Sequence, residues 1–473
     1  MRVLRDPSGA AACYYMEREG TCFLFSDVDL PLSLGLLKPR LDQDFVAHHL
    51  AYPNLRTERT GLNGVRDLLA GARLSLSTAG STVDTCWTPW AFARPEQQVR
   101  DRVAAVQQVR TETERCVRAW ASGAQSIVLE LSGGLDSSIV AACLADQPAQ
   151  ISAVTLVTPD PGADERRYAS LVAKQIASPL DAVFLDVNSV QAGRSPRIAL
   201  PRPGLGLLQQ AIDGAFYGWA ADRSFDCFIT GGGGDNVFCS LATAAPAADA
   251  LIRQGPGGVF LQAVSDLADV HGATVWRSGW LALKKAFRRP IRWKQDVRFL
   301  APSVVPPKPF AHPWLDAPPR SLHGSREHIV ALMSIQNISD GKERLSLAPI
   351  HYPLLSQPLV ELCLRIPSWM WIAGGRNRAV ARDAFEGRLP SEVLSRRLKG
   401  DFTGFCGALY ERNRQDLKDL LLGGWLDQAG ILDPIAVEAY LANTDPPTDL
   451  GFYRLLEMAG VEAWARSWAG FSA

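Results

Sequence analysis

One stretch, Ser126 to Ala145 (SIVLELSGGLDSSIVAACLA), constrains the chain more than any other. It joins an apolar run, a Ser-Gly-Gly-Leu-Asp-Ser-Ser turn and a second apolar run, the pattern of a buried strand, a tight loop and a helix. Gly133 and Gly134 allow a sharp turn and close approach of the backbone to a ligand. A helix starting near Asp136 aims its unpaired N–H groups and positive dipole end into that turn. Ser132, Ser137 and Ser138 add hydroxyls, and Asp136 supplies a carboxylate suited to a hard cation such as Mg2+. The sum is a cradle for a pyrophosphate group. A glycine turn in which Ser or Asp merely caps a helix is the simpler reading. It does not account for so many polar groups converging on one turn. The Gly-Lys-Ser/Thr ending of a Walker loop is absent.

The chain has 473 residues, 47% of them apolar, more than one hydrophobic core usually serves, so two domains are expected. Lys plus Arg equals Asp plus Glu at 49 each, leaving no global field to favour nucleic acid or a membrane surface. The nine cysteines are scattered without a C-x-x-C pair, which argues against zinc or a redox dithiol and fits a reducing cytoplasm. The N-terminus is charged rather than signal-like, and no window reaches about 18 uninterrupted apolar residues. The expectation is a cytoplasmic protein with neither nucleic-acid nor membrane partner.

Residues 1–95 carry short β-prone pieces, Gly20 to Phe25 and Ala72 to Ser77, around a helical Asp44 to Leu50, and read as a small β-rich domain. His48 and His49 read as surface or packed histidines. Residues 96–473 form the second domain. Glu96 to Ala121 is an amphipathic helix and serves as connector. Strands at Ile151 to Val157 and Asp181 to Asp186 alternate with helical patterns, predicting an α/β fold with a parallel sheet and ligands at its carboxyl ends. Phe225 to Phe238 repeats the first loop's logic: Thr230, the glycines Gly231 to Gly234, then Asp235 as a second Mg2+ carboxylate facing Asp136. The remainder is helical in pattern. Its basic stretch Lys284 to Lys294 suits phosphate binding, a solvated helix end or a peptide-docking face. The proline-rich Val304 to Phe310 is expected to border the substrate site.

These motifs resemble a known family. The Ser132–Ser138 turn is similar to the PP-loop of enzymes that split ATP into AMP and pyrophosphate. From residue 96 to about 440 the chain resembles the asparagine synthetase class B superfamily. Thr230 to Asp235 matches that family's Ser-Gly-Glu-Gly-Ser-Asp-Glu in kind, Pro349 to Glu361 its Arg-Val-Pro-Phe-Leu-Asp segment, and Gly375-Arg-Asn-Arg378 through Arg396-Arg-Leu-Lys399-Gly400 its last basic motif. The resemblance implies ATP held by Leu131, Ser132, Gly133, Gly134, Asp136, Ser137, Ser138, Thr155 or Leu156, Thr230, Gly231 and Gly232, with Mg2+ on Asp136 and Asp235. It implies Lys399 over the α-phosphate and Arg378 at the leaving pyrophosphate.

Phe45, Gly64-Val65, Leu68, Gly71 and Thr85 to Trp90 resemble the end of the family's Ntn-type glutamine-hydrolysing domain. That domain uses an N-terminal Cys, where this sequence has Arg2, so glutamine hydrolysis is expected to be lost. Gly232 stands where asparagine synthetases carry Glu and β-lactam synthetases Tyr, and is expected to open room for a larger substrate. Pro349 falls near the Glu of the β-lactam pair, and His351 near a matching Arg.

Within the superfamily the closest resemblance is to lasso-peptide cyclases. It implies a macrolactam synthetase acting on a precursor peptide, with a leader peptidase and a leader-recognition protein as partners. A β-lactam synthetase-like or ammonia-dependent asparagine synthetase-like ligase, or a catalytically silent binding protein on the same fold, are the alternatives. A tRNA-modifying PP-loop enzyme would call for a basic RNA face or a catalytic cysteine pair, and neither is evident.

Overall fold

The computed structural model describes residues 1–473 except 79, 205, 289–292, 398–399, 444, 446–448 and 471–473, and only the backbone at 161. The chain begins with two three-stranded antiparallel sheets. One has the order β1 (Arg2–Leu4), β5 (Ala72–Ser77), β6 (Gly80–Thr85). The other runs β3 (Thr21–Phe25), β2 (Tyr14–Arg18), β4 (Arg66–Asp67). Between β3 and β4 in the chain comes the Gln43–Ala51 helix, started by Asp42, whose carboxylate accepts from the Phe45 N–H. The β-rich expectation for this region holds.

The rest is α/β. A five-stranded parallel sheet has the order β11 (Ile350–His351), β10 (Cys227–Thr230), β7 (Ser126–Glu130), β8 (Gln150–Val157), β9 (Leu180–Phe184). The chain lays down β7, β8 and β9 in one direction and then returns to place β10 on the other side of β7. The order therefore reverses between β7 and β10, and a crevice opens at their carboxyl ends. Register pairs Thr230 with Glu130, so the two glycine loops leave the sheet side by side. β11 is two residues long and was not legible as a strand.

The Arg102–Ala121 helix is more than a connector. Asp101 caps it through the N–H groups of Val103 and Ala104, and Ala105, Val109, Thr113, Cys116 and Val117 form its buried face. That face packs on the Leu135–Leu144, Gln357–Arg365 and Ala379–Ala384 helices. It thus sets the first glycine loop relative to Arg378. Val103 and Trp120 of the same helix are exposed. His351 packs on Trp120, with ring centroids 4.7 Å apart, away from the crevice.

One continuous apolar core runs from Tyr14 and Phe45 through Ile127 and Phe228 to Trp464. The two parts are also joined by buried charge. Asp67, fully buried, meets Arg5 at 2.5 Å, Arg56 at 2.8 Å and Arg202 at 2.5 Å, and Arg56 reaches Asp340 at 2.9 Å. Burial alone would push the Asp67 carboxyl up, but Arg56, Arg202 and Arg5 together hold it below the usual range. A lowered folded pKa stabilises the fold above the pKa of an unfolded aspartate, about 4, and that contribution fades as pH falls through the folded value. Asp67→Asn strands buried arginines. It is expected to cost roughly 3 kcal/mol or more and to flatten the acid side of the stability profile, as urea unfolding across pH would measure.

The proline-rich segment does not border the crevice as expected. Phe310 stacks on His48 at 3.9 Å and donates its N–H to His48 Nε2, while the Tyr52 hydroxyl donates to the Pro306 carbonyl. These apolar rings found a partner on the β-rich part instead. Burial lowers His48 to about 4, so the ring is neutral and structural.

Candidate active site

The first loop is shaped by its own hydroxyls. Ser132 Oγ lies 3.1 Å from Ser137 Oγ and accepts from the Gly134 N–H, and Ser137 Oγ donates to the Gly134 carbonyl. Gly133 has φ of +66°, and a Cβ there would sit 2.5 Å from Tyr168 Cβ, so the loop packs directly on the Arg166–Gln175 helix. The Leu135–Leu144 helix starts at Gly134 with no side-chain cap, leaving its first-turn N–H groups turned to the crevice.

The second loop lies against the first. A Cβ on Gly231 would stand 2.7 Å from the Asp136 carbonyl carbon and closer still to the Ser137 nitrogen. One on Gly234 would stand 2.5 Å from Asp136 Cβ. Gly232 does not open the room expected of it. Ile338 and Tyr352 already fill the space, at 2.8 and 3.0 Å from where its Cβ would be.

Asp136 and Asp235 converge. Asp136 Oδ2 accepts from Arg378 Nη1 at 2.9 Å, and the same nitrogen pairs with Asp235 Oδ1. Arg378 is held for this by an uncommon backbone, φ of +50°, at the start of the Ala379–Ala384 helix. A single cation position is therefore shared by carboxylates from both glycine loops. Among the described residues no cluster of three or more His, Cys, Asp or Glu could enclose a metal. Two carboxylates facing a phosphate cradle nevertheless fit Mg2+, which is commonly held by one or two carboxylates with phosphate oxygens and water completing the shell. There the ion would neutralise phosphate charge, and Arg378 would give up part of its ion pairing.

The opposite wall is a clamp. Glu165, buried at the start of the Arg166–Gln175 helix, accepts from Arg396 Nη2 at 2.6 Å and from the Gly400 N–H at 2.9 Å. Arg396 also lies 4.1 Å over the Tyr168 ring. Both ends of the basic turn are thus fixed by one carboxylate. Lys399 lies inside that turn but outside the described residues. Arg382, buried, donates to the backbone carbonyls of Asn377, Leu394 and Arg396, tying the Arg378 segment to the same turn. Desolvation, then the neighbouring Arg378 and Arg376, lower Arg382 to about 10, so it stays charged near neutrality. Glu165→Gln keeps the shape but removes the negative charge that pairs with Arg396. It is expected to cut kcat by roughly ten- to a hundredfold with little change in melting temperature, read by steady-state kinetics beside thermal unfolding.

The crevice encloses about 350 Å3. Leu131, Ser132, Gly134, Asp136 and Ser137 line it from the first loop, and Thr230, Gly231, Gly232 and Asp235 from the second. Arg378 closes it from the helical side. Gly133 and Ser138 lie behind the lining, as structural parts of the turn. Thr155 does not line it either. Strand alternation brings Val154 and Leu156 to the crevice and buries Thr155 on the other face. Arg396 and Arg397, read in sequence only as part of the last basic motif, also line it, as do Glu130, Glu165 and Arg382, which were not singled out, although Arg382 follows Arg378 at the four-residue spacing that puts two side chains on one helix face. An apolar wall of Leu131, Leu156, Val393 and Phe402 beside four arginines suits a flat base joined to a chain of phosphates.

The family model described as asparagine synthase matches residues 108–466, the sheet, both glycine loops and the basic turn included. The chain belongs to the asparagine synthase family. No curated protein matches it significantly. Family membership makes it an ATP-dependent amide-forming ligase. The N-terminal part of this asparagine synthase family member holds no activated thiol. Desolvation pushes both its partly buried cysteines, Cys13 and Cys22, above the ordinary range, and the other seven cysteines are also raised. No helix among the described residues is long and apolar enough to cross a membrane.

Proposed function

We propose that this ligase is a lasso-peptide macrolactam synthetase: it adenylates an Asp or Glu side chain of a precursor peptide and closes an amide ring with the peptide's N-terminal amine. The observation that supports the reading is the conjunction of the crevice between the two glycine loops with nine cysteines whose thiols desolvation shifts upward, none of them towards the thiolate. Such a ligase has no thiolate with which to release ammonia from glutamine. In this proposal the amine comes with the substrate.

The chemistry follows from the residues present. A carboxylate is a poor electrophile, so its oxygen first attacks the α-phosphorus and pyrophosphate leaves, its charge met by the arginines and the N-terminus of the Leu135–Leu144 helix. The amine then attacks the acyl carbon, AMP departs with the C–O bonding pair, and the nitrogen loses a proton. Lys399 would offset the charge that grows at the α-phosphate. A bound peptide that closes the crevice would keep water from the acyl adenylate, and holding amine and acyl carbon together would replace a bimolecular encounter. A leader peptidase that frees the N-terminal amine and a protein that recognises the leader are the partners such a reaction needs.

The test is incubation of the purified protein with Mg-ATP and a leaderless peptide encoded beside its gene, followed by mass spectrometry. Loss of one water from the peptide, with AMP and pyrophosphate in equal amounts, is expected. A peptide left linear while AMP forms would replace the cyclase reading with another acceptor.

A further inference from the structure

The even charge totals conceal a local imbalance. Residues 270–295 contain Arg277, Lys284, Lys285, Arg288 and three further Lys or Arg, and not one Asp or Glu. The middle of this stretch is the Val275–Ala286 helix. Its inner face is small, with Ser278 and Ala282 buried, and Ala282 joins a separate minor core with Phe260, Val264 and Leu267. The outer face is unlike that of a soluble helix. Trp276, Trp280, Leu283 and Phe287 recur at four-, three- and four-residue spacing, which is one stripe of a helix. Trp276 is 88% exposed, Phe287 85% and Trp280 57%. Such values mean that none of the described residues covers these rings. Lys284 Nζ lies 4.4 Å from the Trp280 ring centre, so cation and aromatic share one surface.

Beside the stripe is a second cavity of about 330 Å3, lined by Leu281, Lys284, Lys285, Arg288, His323 and Ala244 among others. Its cationic rim is only partly neutralised, Lys285 being paired with Glu327.

We propose that this helix is a membrane-surface anchor that lays Trp276, Trp280 and Phe287 into the interface of a bilayer rich in anionic phospholipid, with Lys284 and Arg288 on the headgroup phosphates. Tryptophan and phenylalanine with a polar or cationic border favour the boundary between headgroups and acyl chains, and a basic stretch with no acid in its sequence selects anionic lipid over zwitterionic lipid. Rings this far out of the surface insert into a soft interface, whereas a peptide groove would have them recessed. The anchor would hold the ligase flat against the bilayer without a spanning segment. The proposal goes beyond the cyclase reading and does not depend on it.

The full-length protein is mixed with phosphatidylcholine vesicles, with or without about a third phosphatidylglycerol, and bound protein is read by flotation and by the blue shift of tryptophan emission. Binding to the anionic vesicles alone, weakened by raised salt, is expected. Trp276→Ser/Phe287→Ser and Lys284→Glu/Arg288→Glu should each lower the partition coefficient at least about tenfold, with ATP turnover in the absence of lipid unchanged. Equal binding to both vesicle types would overturn the proposal, as would absence of binding at low salt. Self-association that depends on Trp276, or salt-sensitive capture of an acidic peptide with no lipid binding, would reassign the face to a protein partner.

Discussion

Asp136→Asn is expected to reduce ATP consumption roughly a thousandfold while leaving the melting temperature within a few degrees of the parent. The carboxylate is buried at the mouth of the Leu135–Leu144 helix and shares Arg378 Nη1 with Asp235, so it stands where the proposed reaction brings phosphate charge and its counter-cation together. The fold should survive because Arg378 keeps its pairing with Asp235, whose own side chain is half exposed. Asp235→Asn should raise the Mg2+ concentration needed for half-maximal rate, with a smaller loss at saturating Mg2+. Arg378→Ala should be as damaging as Asp136→Asn, and Arg378→Lys should recover little, because one ammonium cannot repeat the geometry of a guanidinium held at φ of +50°. Initial rates of AMP release against Mg2+ and ATP would check all four. A near-normal rate in Asp136→Asn would remove the crevice from the reaction.

Gly231→Ala is the second large effect. The added methyl would lie 2.7 Å from the Asp136 carbonyl carbon and nearer still to the Ser137 nitrogen, and both are backbone atoms that cannot rotate away. The loops must separate, taking Asp136 and Asp235 apart with them. Overpacking of this kind costs about 1–3 kcal/mol, and a shift of about an ångström at the reacting groups costs about a hundredfold in rate. Gly258→Ala, where a Cβ meets nothing within 4 Å, is the matched control and should be silent. Thermal unfolding and AMP release on the two variants would separate stability from rate.

The parts of the site that were legible in sequence are those whose chemistry is local. Ser132 to Ser138 and Thr230 to Asp235 each announce strand, glycine turn and helix start within a few residues, and their carboxylates follow the glycines directly. Parity along a strand is a longer-range matter. Thr155 and Leu156 are neighbours in the chain, and only the packing of β8 between β7 and β9 decides that Leu156 meets the crevice. Glu165 shows the same limit from another side. In sequence it is an ordinary acid at a helix start, and its partners Arg396 and Gly400 lie more than two hundred residues further on. The proline-rich segment and Gly232 failed for a shared reason: an open position in sequence says nothing of which distant ring will fill it, here His48 against Phe310 and Tyr352 against Gly232.

The central claim is that a peptide carboxylate becomes an acyl adenylate in the β7–β10 crevice and is then captured by an amine of the same peptide. A leaderless peptide whose acceptor carboxylate is enriched in heavy oxygen tests it most directly, with the label followed by mass spectrometry after ring closure. One labelled oxygen in AMP, the other retained in the ring amide and none in pyrophosphate is the predicted result. Label in inorganic phosphate beside ADP, or a closed ring that keeps both labelled oxygens, would contradict it.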